Sequence, residues 1–223
     1  MAAAAAGSPV ELFPALSALA GVRHGFIARL PGLDVAADRT EALARLEAAH
    51  RSLRAELGLS AGPFITAEQV HGKRIGVLAE PSPGDRCFAG ADGVVTNQPG
   101  VSLGIYVADC GAVYLVDPVR RALGLVHSGK KGTELGIVGQ AIARMQEHFG
   151  SEPRDLIVQL GPCIRPPHYE VDFAAEIVRQ SRAAGVEQVH DSGQCTACDL
   201  TRYYSYRAEK ARTGRMLALL AFA

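Results

Sequence analysis

The stretch VSLGIYVADCGAVYLVDPVRRALGLVHSG, Val101 to Gly129, holds three strand-like apolar runs in close succession: Val101–Ala108, Ala112–Val116 and Ala122–Val126. Gly111 and the Asp117-Pro118 pair break the runs, as turn residues do between strands. Working outward, Gly21–Leu30, Phe64–Val70, Ile75–Ala79, Leu156–Leu160 and Arg215–Phe222 read as further strands. Helical spacing of apolar residues marks Arg39–Leu57, Thr133–Phe149 and Phe173–Ala184, each with a glycine (Gly58, Gly150, Gly185) placed to end it. Strands outnumber helices and cluster in the middle of the chain, which predicts an α+β fold with mixed sheets. The sequence shows no internal repeat.

The chain has 223 residues and 48% hydrophobic content, enough for one domain with a sizeable core. No Pro/Gly/Ser-rich linker divides it, so a single domain is expected over 21–223, preceded by an N-terminal segment, 1–20, that is partly frayed. Lys plus Arg number 23 and Asp plus Glu number 23, which argues against nucleic acid or an anionic membrane as partner and for a small molecule. Met1–Gly7 is an alanine run without the basic start and apolar centre of a secretory signal, and no stretch is long enough to span a bilayer, so a cytoplasmic protein is expected.

Five cysteines, an odd number without an export signal, predict reduced thiols. Cys195 and Cys198 form a CxxC, but it follows Asp191-Ser192-Gly193 in a loop rather than opening a helix, and there is no second pair to complete a zinc ribbon. Two unconnected loop thiols are the expectation there, and Cys163 and Cys195 are expected to serve packing. Of the seven histidines, His50 and His148 read as solvated helix residues, while His24, His168 and His190 have no local partner set.

His71, Cys110 and His127 differ, because each closes an apolar run at or beside a glycine: Gln69-Val70-His71-Gly72, Ala108-Asp109-Cys110-Gly111 and Val126-His127-Ser128-Gly129. Side chains there project from strand ends where the backbone can be approached closely. A His₂Cys set suits Zn²⁺, and three protein ligands leave a fourth position open, as in catalytic sites. The spacings of 39 and 17 residues match no short metal motif, so a buried core thiol and two hydrogen-bonded turn histidines fit the pattern as well.

Eight short blocks, in order, resemble the laccase-domain (YfiH-like, or multicopper polyphenol oxidoreductase) family. They are Gln69-Val70-His71-Gly72, Ala91-Asp92-Gly93-Val94-Val95-Thr96, Ala108-Asp109-Cys110, Val126-His127-Ser128-Gly129, Gly161-Pro162-Cys163-Ile164, Tyr169-Glu170-Val171, Cys195-Thr196, and Ser205-Tyr206-Arg207 through Thr213-Gly214-Arg215-Met216. The resemblance runs from about Val22 to the C-terminus. It implies a single-domain αββα-type sandwich in which His71, Cys110 and His127 hold one zinc ion. It further implies purine nucleoside phosphorylase activity, in which phosphate displaces the base of inosine, guanosine, adenosine or methylthioadenosine, with an adenosine deaminase activity beside it. Zinc fits such chemistry because it activates water and polarises a substrate oxygen. Asp109 would orient a ligand or shuttle a proton, unless it only caps a turn. Phosphate needs cations, and Lys130, Lys131 and Arg29 are the candidates.

Three departures from the family pattern stand out. Where relatives have His-Ala-Gly-Trp-Arg-Gly, this chain has His127-Ser128-Gly129-Lys130-Lys131-Gly132, which removes an aromatic surface and a bidentate guanidinium. The loop Leu30-Pro31-Gly32-Leu33-Asp34 is compressed, and Tyr169-Glu170-Val171 runs almost directly into a helix. Multicopper oxidase chemistry is not expected, since seven histidines without a His-x-His pair cannot furnish several coppers, and copper is the weaker metal candidate. The alternatives are a hydrolase with Cys110 as nucleophile and His71 or His127 as base, acting on an amide of a peptidoglycan precursor, and a zinc-containing nucleoside-binding protein without turnover.

Overall fold

The computed structural model describes residues 8–222. The expectation of fraying at Met1–Gly7 lies outside the described residues. From Ser8 onward the N-terminal segment is built into the structure: β1 (Val10–Glu11) pairs antiparallel with β2 (Val22–Ile27), and Phe13 and Leu16, the latter on the short helix α1 (Pro14–Ser17), are buried.

Two six-stranded mixed sheets form the centre. The first runs β1-β2-β12-β7-β3-β5, with β3 (Phe64–Ala67), β5 (Arg86–Phe88), β7 (Ser102–Val107) and β12 (Met216–Phe222). The second runs β11-β10-β8-β9-β6-β4, with β4 (Ile75–Leu78), β6 (Gly93–Thr96), β8 (Gly111–Asp117), β9 (Ala122–Ser128), β10 (Ile157–Leu160) and β11 (Gln188–Asp191). The β8–β9 hairpin is antiparallel in the register Ala112↔His127 through Asp117↔Ala122, as the Asp117-Pro118 turn requires. Parallel pairs sit toward the sheet edges, β3 with β5 and β7, and β4 with β6.

Both faces of the second sheet are covered, which explains why its strands read as continuous apolar runs rather than alternating ones. In β8, Ala112, Tyr114 and Val116 face the first sheet in one core, while Val113 and Leu115 face the helices in another. The Tyr114 hydroxyl donates to the Gly25 carbonyl across the sheet interface at 2.9 Å, a buried bond between the layers. Helices α4 (Ile137–Phe149) and α5 (Phe173–Ala183) pack Ile137, Val138, Ala141, Ile142, Met145, Phe173 and Ile177 onto the outer face of the second sheet. On the first sheet lies α2 (Arg39–Glu56), capped by the Asp38 carboxylate on Glu41 N–H. Its Arg54 lies over Phe64 of β3 and its His50 against Tyr106 of β7. The order is helix, sheet, sheet, helices: an α+β sandwich of αββα type.

Two expectations change. The helix expected over Thr133–Phe149 is two helices, α3 (Lys130–Glu134) and α4, separated at Gly136, whose φ of 72° cannot continue a helix. His50 is not solvated: it is 2% exposed on the α2 face formed by Ala42 and Leu46.

Candidate metal centre

The turn between β7 and β8 carries the chain from the first sheet to the second, and Cys110 sits on that turn. His127 is on β9, opposite Ala112, and so stands one strand away. His71 lies on the loop between β3 and β4. These three distant residues meet: one ligand atom from each lies within 4.8 Å of the others, with the His71 and His127 ring centroids 4.8 Å apart. One soft thiolate and two imidazoles are donors for a single divalent ion.

Asp92, just before β6, organises the centre. Its carboxylate accepts from the backbone N–H groups of His71 and Gly72 at 2.7 Å each and lies 3.0 Å from His127 Nδ1. With Nδ1 carrying the proton toward Asp92, Nε2 is left as the ligand atom, the carboxylate–histidine arrangement that fixes the tautomer at metal sites. His71 is held at φ 60°, a left-handed conformation unusual for histidine, and its bond to Asp92 stabilises it there.

The charges agree with this geometry. Burial alone would raise the Cys110 thiol, but His127 and then His71 outweigh it and bring the pKa down to about 6. Burial alone would lower His127, but Cys110 and Asp92 raise it to about 9. Asp92 is likewise pulled below its ordinary value against its burial, by His127 and the two N–H donors. Gly129 completes the packing: a Cβ there would stand 2.5 Å from the Cys110 sulfur.

The centre opens into a cleft of about 870 Å³ lined by all three ligands and by Asp109, Lys130 and Lys131. The sequence candidates are thus brought together, with one exception. Arg29 is not among the residues lining the cleft; its guanidinium pairs with Glu209 at 2.7 Å, donates to the Tyr203 carbonyl and lies over the Tyr204 ring. Asp109, at φ 80°, lines the cleft and is tied to two neighbouring segments. Its carboxylate accepts from the Thr196 hydroxyl and the Arg207 N–H, both at 2.7 Å, so it positions the turn bearing Cys110. The lysines occupy the first turn of α3, where Lys130 lies 3.8 Å from Glu170.

Several cleft residues carried no chemistry in the sequence reading: Asp92 under the metal ligands, and Arg39, Tyr106, Tyr169, Tyr206 and Arg215 in the wall. Asp92, Tyr169, Tyr206 and Arg215 all lie within the quoted blocks, which was the available signal. Arg39 lies outside them and had none. Cys195 and Cys198 close a turn through Cys198 N–H to the Cys195 carbonyl, and all five cysteines are free.

Known proteins resemble this chain in sequence and in fold. The family model described as multi-copper polyphenol oxidoreductase laccase matches residues 20–180 and 171–223. A protein of Geobacillus stearothermophilus named purine nucleoside phosphorylase YlmD is 30% identical over 93% of this chain and 91% of its own length. A purine nucleoside phosphorylase of Deinococcus radiodurans is 32% identical over 97% of this chain and 94% of its own. The crystal structure of YlmD from Geobacillus stearothermophilus superposes with a TM-score of 0.78 at 28% identity, covering 92% of this chain and 93% of that one. The Bacillus licheniformis protein YfiH superposes with a TM-score of 0.79 at 23% identity, covering 91% and 93%. No helix among the described residues is long and apolar enough to cross a membrane. With its sequence matched along nearly all its length and its fold shared with these structures, the chain belongs to the YfiH-like laccase-domain family.

Proposed function

We propose that this protein is a zinc-dependent purine nucleoside phosphorylase, with His71, Cys110 and His127 as the ligands of one zinc ion. The observation that carries the reading is the convergence of these three ligand atoms at the base of a cleft sized for a nucleoside, with Asp92 behind His127. The relatives named purine nucleoside phosphorylase support the reaction class.

In phosphorolysis a phosphate oxygen forms a bond to ribose C1′ while the C1′–N9 bond breaks; the electron pair leaves with the purine, which takes up a proton. Bound zinc would supply Lewis acidity at the base of the cleft. The chain's own residues supply the rest. Tyr206, 52% exposed in the cleft wall with the Arg215 guanidinium 5.9 Å from its ring centroid, offers an aromatic ring for the purine, in place of the aromatic residue missing at Lys130. The cationic side chains of the wall attract phosphate and balance its charge as it approaches the sugar. The adenosine deaminase activity suggested by the family resemblance would use the same centre.

A second reading rests on a specific observation. Without metal, Cys110, His127 and Asp92 stand in the order nucleophile, base and orienting carboxylate, with the thiol pKa held down to about 6. That is the arrangement of a cysteine hydrolase. Inosine incubated with and without phosphate, followed by chromatography for hypoxanthine and ribose 1-phosphate, tests the first reading: product that requires phosphate supports it, and phosphate-independent release of base contradicts it. A protein that is alkylated rapidly at Cys110 as purified, carries no zinc, and leaves inosine unchanged would favour the second.

A further inference from the structure

Five cationic side chains line the cleft in a chain whose charges balance overall: Arg39, Lys130, Lys131, Arg207 and Arg215. They are not equivalent. Lys130 and Arg207 share Glu170, at 3.8 Å and 3.0 Å. Arg39, Lys131 and Arg215 form no ion pair among the described residues, and of the three only Arg215 is buried.

Arg215, just before β12, is only 8% exposed. Its Nη1 donates to the carbonyls of Thr213 at 2.7 Å and Gly214 at 2.8 Å, which fixes the guanidinium plane and leaves the rest of the fork for the cleft. Arg39, the first residue of α2, donates from Nη2 to the Glu68 carbonyl at 3.1 Å and is otherwise exposed to the cleft. A buried guanidinium without a counter-ion is unfavourable. Here a second guanidinium adds to the cost: burial first, and then the charge of Arg39, depress Arg215 below the ordinary arginine value. The charges of Asp109 and Cys110 oppose this in part, but Asp109 accepts from the Thr196 hydroxyl and the Arg207 N–H and makes no direct bond to Arg215. Two guanidinium forks, one buried and held by two carbonyls, the other exposed and held by one, present a donor array suited to a tetrahedral oxyanion.

We propose that Arg215 and Arg39 together form the phosphate subsite of the cleft, with inorganic phosphate as its ligand. Arg215 is the buried fork and Arg39 the exposed one. The proposal rests on the phosphorolytic reading, and it assigns the anion to groups at β12 and α2 rather than to the lysine pair of α3.

The test is calorimetric titration of inorganic phosphate, in a phosphate-free buffer, into the full-length protein and its variants, with steady-state kinetics on inosine alongside. Arg39→Gln alters an exposed side chain, and Arg215→Lys keeps the charge and most of the packing, so both should fold. Each is expected to weaken phosphate binding about tenfold to a hundredfold, the scale of one charge-assisted bidentate contact. The KM for phosphate should rise by the same factor while the KM for inosine stays within about twofold. Arg51→Gln, which removes a charge elsewhere on α2, should bind phosphate like the wild type. Unchanged phosphate affinity in both Arg39→Gln and Arg215→Lys overturns the subsite, as does a wild type that binds inosine 5′-monophosphate but not inorganic phosphate. If the wild type binds phosphate through these arginines yet does not turn over inosine, the subsite stands and the phosphorolytic reading fails. If turnover requires phosphate and the variants keep its KM, the reading stands and the subsite falls.

Discussion

At the scale of single residues, the centre depends on groups that are not themselves ligands. Asp92 holds His127 by its ring and His71 by its backbone, so one carboxylate supports two candidate ligands, one on strand β9 and one on a loop. Asp92→Asn keeps the shape but loses the charge, and we expect metal affinity to fall about tenfold to a hundredfold with the fold intact, measured by competition with a chromogenic chelator. An affinity equal to wild type would remove Asp92 from the centre. Gly129→Ala places a methyl group 2.5 Å from the Cys110 sulfur, so it should displace the thiol and lower bound metal while circular dichroism is unchanged; a variant retaining full metal would show that the turn can yield. His71, Cys110 and His127 stood out in the sequence because each ended an apolar run beside a glycine, but that they form one cluster came from resemblance, since spacings of 39 and 17 residues say nothing about convergence. Asp92 did not stand out, because its partner His127 lies 35 positions away, and nothing in the local pattern of a buried aspartate tells a turn cap from a support for a distant ring.

At the scale of elements, long periodic segments were read well and short ones poorly. Helix α2 ends within a residue of expectation because its Ala and Leu spacing and Gly58 agree. The same spacing also held the answer for His50, since Ala42, Leu46 and His50 recur every four residues and share one buried face, but polar neighbours in sequence suggested solvent. Strand β6, four buried residues after Asp92, and the three-residue β5 are too short for periodicity to reveal; tertiary pairing with β9 and β3 makes them strands. The break between α3 and α4 turns on Gly136 at φ 72° with open space around it. Gly136→Ala therefore meets no clash and should cost about 1–2 kcal/mol from conformation alone, read from urea midpoints; no loss of stability would mean that the turn can relax. Between the sheets, Tyr114→Phe deletes the bond to the Gly25 carbonyl and should cost about 1 kcal/mol in the same measurement. A neutral result would assign Tyr114 to packing only.

At the scale of the whole molecule, the α+β class and the mixed sheets were legible, while the four-layer order came only from resemblance, because which face of a fully buried strand meets which layer is decided by tertiary contact. Two buried histidines make the whole fold sensitive to acid. Burial lowers His24 to about 4, where its Nε2 accepts from Phe13 N–H, and burial likewise lowers His50 to about 4 despite the opposing charge of Glu47. Both are neutral in the fold and protonate near pH 6.5 when unfolded, so the unfolded chain binds more protons between those limits. The contribution of these two histidines should be level above about pH 7 and fall as pH drops from about 6.5 to 4, by up to about 3 kcal/mol for each. His50→Phe should flatten that slope in urea unfolding at pH 7 and pH 5, and an unaltered slope would exclude His50 as a cause. The architecture as a whole brings the β3–β4 loop, the β7–β8 turn and strand β9 to one point, and elemental analysis of the purified wild type beside Cys110→Ala and His127→Ala tests that point most directly. The account predicts about one zinc per wild-type chain, and loss of both the metal and phosphate-dependent cleavage of inosine in each variant. A Cys110→Ala protein that retains stoichiometric zinc would contradict it.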